Sequence, residues 1–509
     1  MTCDSVPSAP DDGCPARSGP CTLGNLAALL EVPTPMGEHT VIDGVADNSR
    51  TVQPGDLYLA FPGKRVHGLD FEEQARSRGA IAALSDRPGL HLPTLVVEDP
   101  RAWAGPVSAH VYGHPSEALD LIGVTGTNGK TSTAYLLGAA LTAAGETVGS
   151  ITGISITGPR GSTPTSRTTP EAAPLQRSLD RFRREGVTAA AMEVSSHAVV
   201  QGRVDGTRFA AMGFTNLGQD HLDYHGSMEH YFAAKSQLFE PERAAVAAAG
   251  IDDDYGRRLA ATVRIPCWTW SAHDHRADIY GDCVETTGVG TSFVARTPTG
   301  DYKIQLPLLG PHQAHNALAA FALIAATGRD LDAAVAGFES ITTVPGRLER
   351  IEEGQQFLAL VDYMHNTAGQ RRLLPYIRSL TNGKIIAVVG ATGDRDPGKR
   401  FPLGATAAAL TDVVIVSDES PFSEDASAIR EAVAAGATAA AAATVVIEPD
   451  RRRAFELAVA CADPGDIVLV TGRGCDDEQV FGDDVVQFDD RVELRKALRQ
   501  HVYGTDATS

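Results

Sequence analysis

The run GVTGTNGKTSTAYLL, residues 123–137, joins an apolar stretch to a helical pattern through Gly126, Gly129 and an immediate Lys-Thr pair. Glycines at a strand-to-helix turn let successive backbone N–H groups face phosphate oxygens, and the helix start adds partial positive charge. Lys130 is then placed to meet β- and γ-phosphates, and Thr131 to offer a hydroxyl to Mg²⁺. Gly126, Thr127, Asn128, Gly129, Lys130, Thr131 and Ser132 form the candidate nucleotide cradle. Its spacing, GxxGKT, is shorter than the common GxxxxGKT. A Gly-rich turn that holds no nucleotide is the bland alternative, and the Lys-Thr pair argues against it. Downstream, MEVSSH at 192–197 places Glu193 at the end of an apolar stretch, where a carboxylate oxygen suits Mg²⁺. FTNLGQDHLDYHGSMEHYFAAKSQLF, at 214–239, crowds Asp220, His221, Asp223, His225 and Lys235 into one span. On local evidence a solvated polar loop explains that span equally well.

Elements must hold these groups, and the pattern supplies them. Apolar stretches DLYLAFPG, GAIAALSD and LPTLVVED predict a small α/β domain. LDLIGVTG and a helix over 132–144 open a second block, continued by AAAMEVSS and AAMGFTN. FLALVDY, KIIAVVGA, DVVIVSD and DIVLVTG alternate with Ala-rich helical stretches in a third. Such alternation predicts parallel, doubly wound sheets. The fold expected is α/β in three domains: a tail over 1–22, a small amino-terminal domain over 23–113, a central ATPase-type domain over 114–345, and a Rossmann-like domain over 346–509. Residues 152–169, rich in Thr, Ser, Gly and Pro, read as a flexible loop.

Composition narrows the class. Hydrophobic residues are 43% and charged residues 21% of the 509, an ordinary globular balance. The net charge of −20 argues against nucleic-acid or anionic-membrane partners. Seven scattered cysteines without a CxxC pair suit a reducing compartment, and Cys3, Cys14 and Cys21 lack the spacing of a metal site. The first 20 residues show neither a basic n-region nor an apolar h-region. The uncharged run 432–447 is too short and too Ala-rich to span a bilayer. The expectation is a cytoplasmic monomer.

TGTNGKTS, TTPE, EVSSH, FTNLGQDHLDYHG and AAKSQLF, in this order, resemble the Mur ligases, and within them the UDP-N-acetylmuramoyl-tripeptide synthetases. DNSRTVQPGDLYLAFPG at 47–63 is similar to that group's uridine-binding domain. LLGPHQAHNALAA, GRLERI, VDYMHN, GDRDPGKR and VTGRGCDDEQ are similar to its later motifs. The resemblance covers about residues 23–490. It implies an ATP-dependent amide ligase working through an acyl phosphate, with a UDP-N-acetylmuramoyl dipeptide-like carboxylate and an amino acid or amine as substrates. It further implies that Lys130 holds the β/γ-phosphates, that Thr131 and Glu193 bind one Mg²⁺ and His221 a second, and that Lys235 is carbamoylated and bridges metal. Asn316 would meet adenine, Arg347 phosphate and Asp362 ribose. Thr168, Thr169, Ser195, Gln201 and Arg203 match positions for the nucleotide-sugar peptide; Ser49, Arg50, His67 and Gly68 match the uridine end.

Departures from the family gather at the amino-acid end. Members that add meso-diaminopimelate carry Asp-Asn-Pro-Arg where this chain reads DESPFSED at 418–425, which puts Phe422 in the place of a carboxylate-clamping Arg. GRGCDDEQ at 472–479 has Cys475 and Asp476 for the usual His-Glu, and VDYMHNTAGQ departs from the usual His-Thr-Pro-Asp. The pocket residues expected are Asp418, Glu419, Phe422, Gly472 and Asp476. On these departures the loop is expected to reject diaminopimelate and to take an apolar or amine-bearing side chain without a distal carboxylate. The alternative is that Arg400 or Arg473 replaces the lost clamp. Recruitment to natural-product peptide assembly, with a different carboxylate substrate, is a further reading, favoured by the altered pocket. A non-catalytic nucleotide-binding homologue is a third, disfavoured by the intact Lys130, Glu193, His221 and Lys235.

Overall fold

In this computed structural model the described residues are 19–504 except 64 and 166, and the Asp223 side chain also lies outside the description. Most of the expected tail, residues 1–18, is therefore outside it. Thr22, at the end of that tail, caps the helix Leu23–Leu30 through a reciprocal bond with Asn25. The chain folds as two compact units: the described residues up to Ile279 with Leu318–Gly337, and Tyr280–Ala317 with everything from Phe338 on.

The first unit carries two sheets. Gly44–Ala46, Asp56–Leu59, Ala82–Ser85 and Thr94–Val96 pair in that order, all parallel. Leu26, Ile42, Val45, Leu57, Leu84 and Val107 fill one side of this sheet. In the larger sheet the strand Asp120–Thr125 lies between Ala189–Glu193 and Phe209–Phe214, both parallel to it. Ala244–Gly250 and Cys267–Ser271 extend it beyond Phe209–Phe214, and Val148–Ile151 lies outside Ala189–Glu193. The central strands are almost wholly buried, as runs without polar alternation predict. Because later strands flank Asp120–Thr125 on both sides, its carboxyl end is a topological switch point, where doubly wound sheets open a crevice for ligands.

The stretch 152–169 departs from the expected loop. Ser155–Gly158 and Gly161–Pro164 form an antiparallel hairpin added to the edge of the larger sheet. Side-chain bonds from Ser155 to Thr157 and from Thr157 to Ser162 support it. The Thr and Ser content read as loop chemistry serves here in one bond along a strand and one, Thr157 to Ser162, across the pair.

A single arginine makes several bonds between the small sheet and a neighbouring helix. Arg177, on the helix Ala172–Arg184, donates to the Val45 carbonyl (2.9 Å), to Asp56 (2.8 Å) and to the Tyr112 hydroxyl (3.0 Å). Asp56 is buried, so this ion pair is partly shielded from water and holds the middle of the helix against the small sheet.

The second unit has an antiparallel meander, Ile279–Thr286, Thr291–Thr297 and Gly300–Leu306. Its main sheet runs in the order Glu349–Arg350, Leu358–Asp362, Ile467–Thr471, Ile385–Val389, Val413–Val416, Thr444–Ile447. All but the first strand are parallel. The last strand in sequence, Ile467–Thr471, is inserted between the first two long ones, so a second crevice opens at the carboxyl ends of Asp362, Val389, Val416 and Thr471.

Candidate active site

In the first unit the cradle is built as its residue types demand. Gly126 has φ 145°, and an added Cβ there would lie 2.0 Å from Thr215 Oγ1. Gly129, at φ 88°, ends the turn and starts the helix Lys130–Ala143. The turn is held from outside by the FTN motif: Thr127 N donates to the Asn216 carbonyl (2.9 Å) and Asn128 N to Asn216 Oδ1 (3.1 Å). Thr215 Oγ1 and Asn216 Nδ2 both donate to the Asn128 carbonyl. Thr215 and Asn216 are thus part of the cradle's support, although only the motif string, not their role, was readable beforehand.

Two amines meet at this turn. Lys130 Nζ donates to the carbonyls of Gly126 (3.0 Å) and Thr127 (2.9 Å). Lys235 Nζ, fully buried, donates to the same Gly126 carbonyl at 3.0 Å and lies 4.7 Å from the centre of the Tyr231 ring. Burial, reinforced by the positive Lys130, holds the Lys235 amine well below the usual lysine range, against a weaker upward pull from Asp220.

Thr131 and Ser132 are buried in the first helical turn. Glu193 ends a strand whose register sets it beside Val124, and it accepts from Gly153 N at 2.9 Å. His221 sits at φ 52° ahead of the short helix Leu222–His225, its ring 4.8 Å from that of His197 and 6.2 Å from that of Tyr231. Tyr231 in turn bonds Thr127 (3.2 Å), so His221, Lys235 and the cradle are linked through one phenol.

The residues expected for the nucleotide-sugar peptide also converge. Thr169 Oγ1 donates to the Glu193 carbonyl and accepts from Ser195 N, each at 3.0 Å. Arg203 donates to the Thr169 carbonyl (3.1 Å) and to Gln201 (2.5 Å), with Glu171 at 3.2 Å. Thr168 is half-buried beside Gly153. Gln201 and Arg203 line a recess with Asp47, Phe61, Arg101 and Glu171. Burial, then the neighbouring Glu171, pushes the Asp47 carboxyl up. Asp47 and Glu171 lay within quoted motifs and were not singled out.

In the small sheet, His67 Nδ1 accepts from Leu69 N (3.0 Å), so Nε2 carries the proton it offers to Asp86 (2.8 Å). Gly68 N donates to the Phe61 carbonyl, and its own carbonyl accepts from Tyr58. Ser49 is buried and donates to Gln74 (2.7 Å); Arg50 is exposed.

In the second unit, Asp362 ends its strand buried, accepting from Leu348 N and Met364 N at 2.8 Å each. Burial raises its carboxyl against the pull of Arg347. The Arg347 guanidinium lies 4.4 Å from the centre of the Tyr363 ring. Asn316 donates to Gln313 at 2.9 Å.

Two acids of the loop are paired with arginines of the flanking helices. Arg430 Nη1 bonds both oxygens of Asp418 at 2.7 Å. Arg400 bonds Glu424 (2.8 Å), and Asp394 accepts from Ser423 Oγ. Glu419 is buried, with Thr392 Oγ1 donating to Oε2 at 2.8 Å, and Gln479 donates to its carbonyl. Phe422, at φ 52°, donates its N–H to Val480 and accepts from Gly482 N, so the hairpin after Gly472 sets its place. Asp476 meets solvent at the turn, yet protein crowds it closely; desolvation, with Glu419 adding, pushes its carboxyl up to about 6 against the pull of Arg473.

Three family descriptions match along the chain: Mur ligase family, catalytic domain, over residues 41–109; Mur ligase middle domain over 124–324; and Mur ligase, glutamate ligase domain, over 346–474. The chain belongs to the Mur ligase family. It is an ATP-dependent, ADP-forming ligase of an acid and an amino acid. It is 43% identical over 497 residues to UDP-N-acetylmuramoyl-L-alanyl-D-glutamate--2,6-diaminopimelate ligase of Streptomyces coelicolor, covering 96% of this chain and 98% of that protein. To the protein of the same name in Geobacillus thermodenitrificans it is 37% identical over 461 residues, covering 89% and 94%. A solved structure of UDP-N-acetylmuramoyl-L-alanyl-D-glutamate--2,6-diaminopimelate ligase superposes with a TM-score of 0.65 at 26% identity, covering 94% of this chain and 99% of that one.

These relatives overturn the expected rejection of diaminopimelate, and they lend nothing to natural-product assembly. The physical error is visible in the loop. The expectation counted Asp418 as bare negative charge, whereas it is held by Arg430. It also set the aligned position, Phe422, above the alternative that another arginine replaces the clamp, and Arg473 does stand at the same strand ends.

Among the described residues no helix is long and apolar enough to cross a membrane.

Proposed function

We propose that this ligase joins 2,6-diaminopimelate to the D-glutamate carboxyl of UDP-N-acetylmuramoyl-L-alanyl-D-glutamate, in the cytoplasm, with ATP as the energy source. The observation that carries this reading is the 43% identity, across nearly the whole chain, to a relative named for that reaction. Lys130 meets the β/γ-phosphates once it leaves the Gly126 and Thr127 carbonyls, and Gly126–Ser132 cradle them through backbone N–H groups. Glu193, a buried carboxylate whose Oε1 accepts from Gly153 N, and Thr131, a buried hydroxyl at the helix start, fit an oxygen-ligated Mg²⁺. His221 and Lys235 serve a second site. When bound, the ions neutralise charge on the transferring phosphoryl group. Burial favours the unprotonated amine of Lys235, the form that adds CO₂ with loss of a proton, and the resulting carbamate replaces a cation by an acid-like oxygen donor.

Asn316, Arg347 and Asp362 serve the adenine, phosphate and ribose by family resemblance. Thr168, Thr169, Ser195, Gln201 and Arg203 orient the peptide of the acceptor. Ser49, Arg50, His67 and Gly68 take its uridine end, and Asp418, Glu419, Phe422, Gly472 and Asp476 shape the amino-acid pocket. Phosphate release measured with ATP, the UDP-dipeptide and a panel of amino acids tests the reading. The expected result is release that requires both acceptor and diaminopimelate. A higher kcat/KM for lysine, ornithine or an apolar amino acid overturns the substrate, and ATP turnover indifferent to acceptor overturns the ligase role.

A further inference from the structure

The recess beside Arg203 has walls from two parts of the first unit. Asp47 and Phe61, which follow the small-sheet strands Gly44–Ala46 and Asp56–Leu59, form one wall. Glu171, Gln201 and Arg203 form the other, and Glu171 stands at the N-cap of the helix Ala172–Arg184. The UDP-dipeptide proposed above has to reach both sides. Its uridine end falls to Ser49 and His67 beside the small sheet, and its peptide to Thr169, Gln201 and Arg203.

Apolar packing holds the helix near the small sheet: Ala172 and Ala173 lie in one hydrophobic cluster with Val45, Leu57 and Val107. Such contacts are non-directional, so they leave the position of the helix along the sheet loosely set. Arg177 supplies the direction. It lies on the same helix, about 9 Å beyond Glu171. Its Nη2 donates to the Val45 carbonyl, close in sequence to Asp47, and to Asp56, which opens the strand leading to Phe61. Its Nε donates to the Tyr112 hydroxyl, which also accepts from Val45 N at 3.1 Å. Asp56 and Tyr112 are 2% and 3% exposed, so the accepting ends of these bonds are shielded from solvent. Gly44 leaves room for the cluster, since an added Cβ would lie 2.3 Å from Asp56 Oδ1 and 3.3 Å from Arg177 Nη2. Both walls are thereby referenced to one guanidinium.

A substrate gripped at both ends gains from both sets of contacts only where the site matches its length. The second grip is then effectively intramolecular, and its advantage falls as the span drifts. We propose that Arg177 is a positioning residue for the carboxylate substrate: its bonds to Val45, Asp56 and Tyr112 set the span between the uridine end and the peptide end of the site, an inference that rests on the UDP-dipeptide reading.

Titration calorimetry with three probes tests this. UDP-N-acetylmuramoyl-L-alanyl-D-glutamate uses both ends, UDP only one, and N-acetylmuramoyl-L-alanyl-D-glutamate only the other. Arg177→Lys keeps a charge for Asp56 and gives up the fork to Val45 and Tyr112. It is expected to weaken binding of the whole substrate about ten-fold, while Kd for each fragment and KM for ATP stay at their wild-type values. Tyr112→Phe removes the hydroxyl and keeps the Arg177–Asp56 pair, and is expected to show the same pattern at about three-fold. Fragments weakened as much as the whole substrate overturn the proposal and mark a merely structural role. Wild-type affinity for the whole substrate in folded Arg177→Lys overturns it as well. If Arg177→Lys does not fold, Tyr112→Phe decides by the same criteria. Wild-type enzyme that fails to bind the UDP-dipeptide overturns the substrate reading instead, so the two failures are distinct.

Discussion

Around Gly126, the polar groups of the turn are tied to residues of a second motif: Thr215 and Asn216 hold Thr127 and Asn128, and two lysines share one carbonyl. Around Glu419, charged groups are paired within the crevice or left half-bonded, and a hairpin fixes the one aromatic. Both regions lie at carboxyl ends of parallel strands. Phosphate has one shape and charge, so backbone N–H groups and a lysine suffice, and the solution is local in sequence. A zwitterionic side chain needs donors and acceptors in opposed places, and these come from distant segments. On the proposed roles, the contrast teaches that a phosphate site can be read from a string, whereas an amino-acid site is an arrangement.

The sharpest break on the phosphate side is Lys130→Ala. The substitution removes the charge meant for the transferring phosphoryl and both ties, to Gly126 and Thr127. Loss of one preorganised charge contact costs about 3–4 kcal/mol in the transition state, or roughly 10²–10³ in kcat. Unchanged circular dichroism with product formation near the wild-type rate would sink the role.

Lys235→Ala is expected to come next, with kcat down about a hundred-fold or more. Partial rescue by added short-chain carboxylic acids distinguishes loss of a carbamate from loss of a cation. Burial lowers the affinity of the amine for its proton and so favours the proposed modification, and native mass spectrometry should find one extra carboxyl on active enzyme. An unmodified amine in fully active protein counts against it.

Legibility followed the same divide. The strand-and-helix alternation and the glycine turn ahead of the helix Lys130–Ala143 followed from apolar runs and glycine spacing, because each depends on residues adjacent in sequence. The hairpin at Ser155–Gly158 was missed because Thr and Ser serve loops and cross-strand ladders alike. The pairing of Asp418 with Arg430 was missed because nothing in DESPFSED marks a partner on the following helix, Ala426–Ala440. The partners of Glu419 are Thr392 and Gln479, one before and one well after it in sequence.

Arg430→Gln sharpens the pocket side. It strands a carboxylate that is only 11% exposed, and breaking such a pair by removing one partner costs about 3 kcal/mol of stability. Burial already holds Asp418 above its ordinary range, with Arg430 pulling it down. Without Arg430 it rises further, so the deficit is full where the carboxylate is ionised and shrinks as acid protonates it. Urea unfolding at pH 7 and pH 5 should show the gap narrowing; a gap independent of pH would refute the pairing as its cause.

The smallest effect expected is at Asp476, and it has opposite signs in stability and function. Desolvation raises its folded-state carboxyl to about 6, above the range of an unfolded chain. A raised carboxyl is neutral to stability at a pH below its unfolded value, where both states are protonated. Its cost grows as pH climbs through that value and levels off above 6. Asp476→Asn should therefore change nothing near pH 3 and stabilise the enzyme at pH 7. The shift alone converts to nearly 3 kcal/mol, but the side chain meets solvent, and screening reduces the expected gain to about 1 kcal/mol. The same change removes negative charge at the mouth of the crevice, so KM for diaminopimelate should rise a few-fold at pH 7 and lose its dependence on pH between 5 and 7. A residue retained at a cost to stability while the substrate depends on its charge is one placed for function. Loss of stability at pH 7 in the variant would make Asp476 a structural anchor instead, and would leave the crevice mouth without its acid.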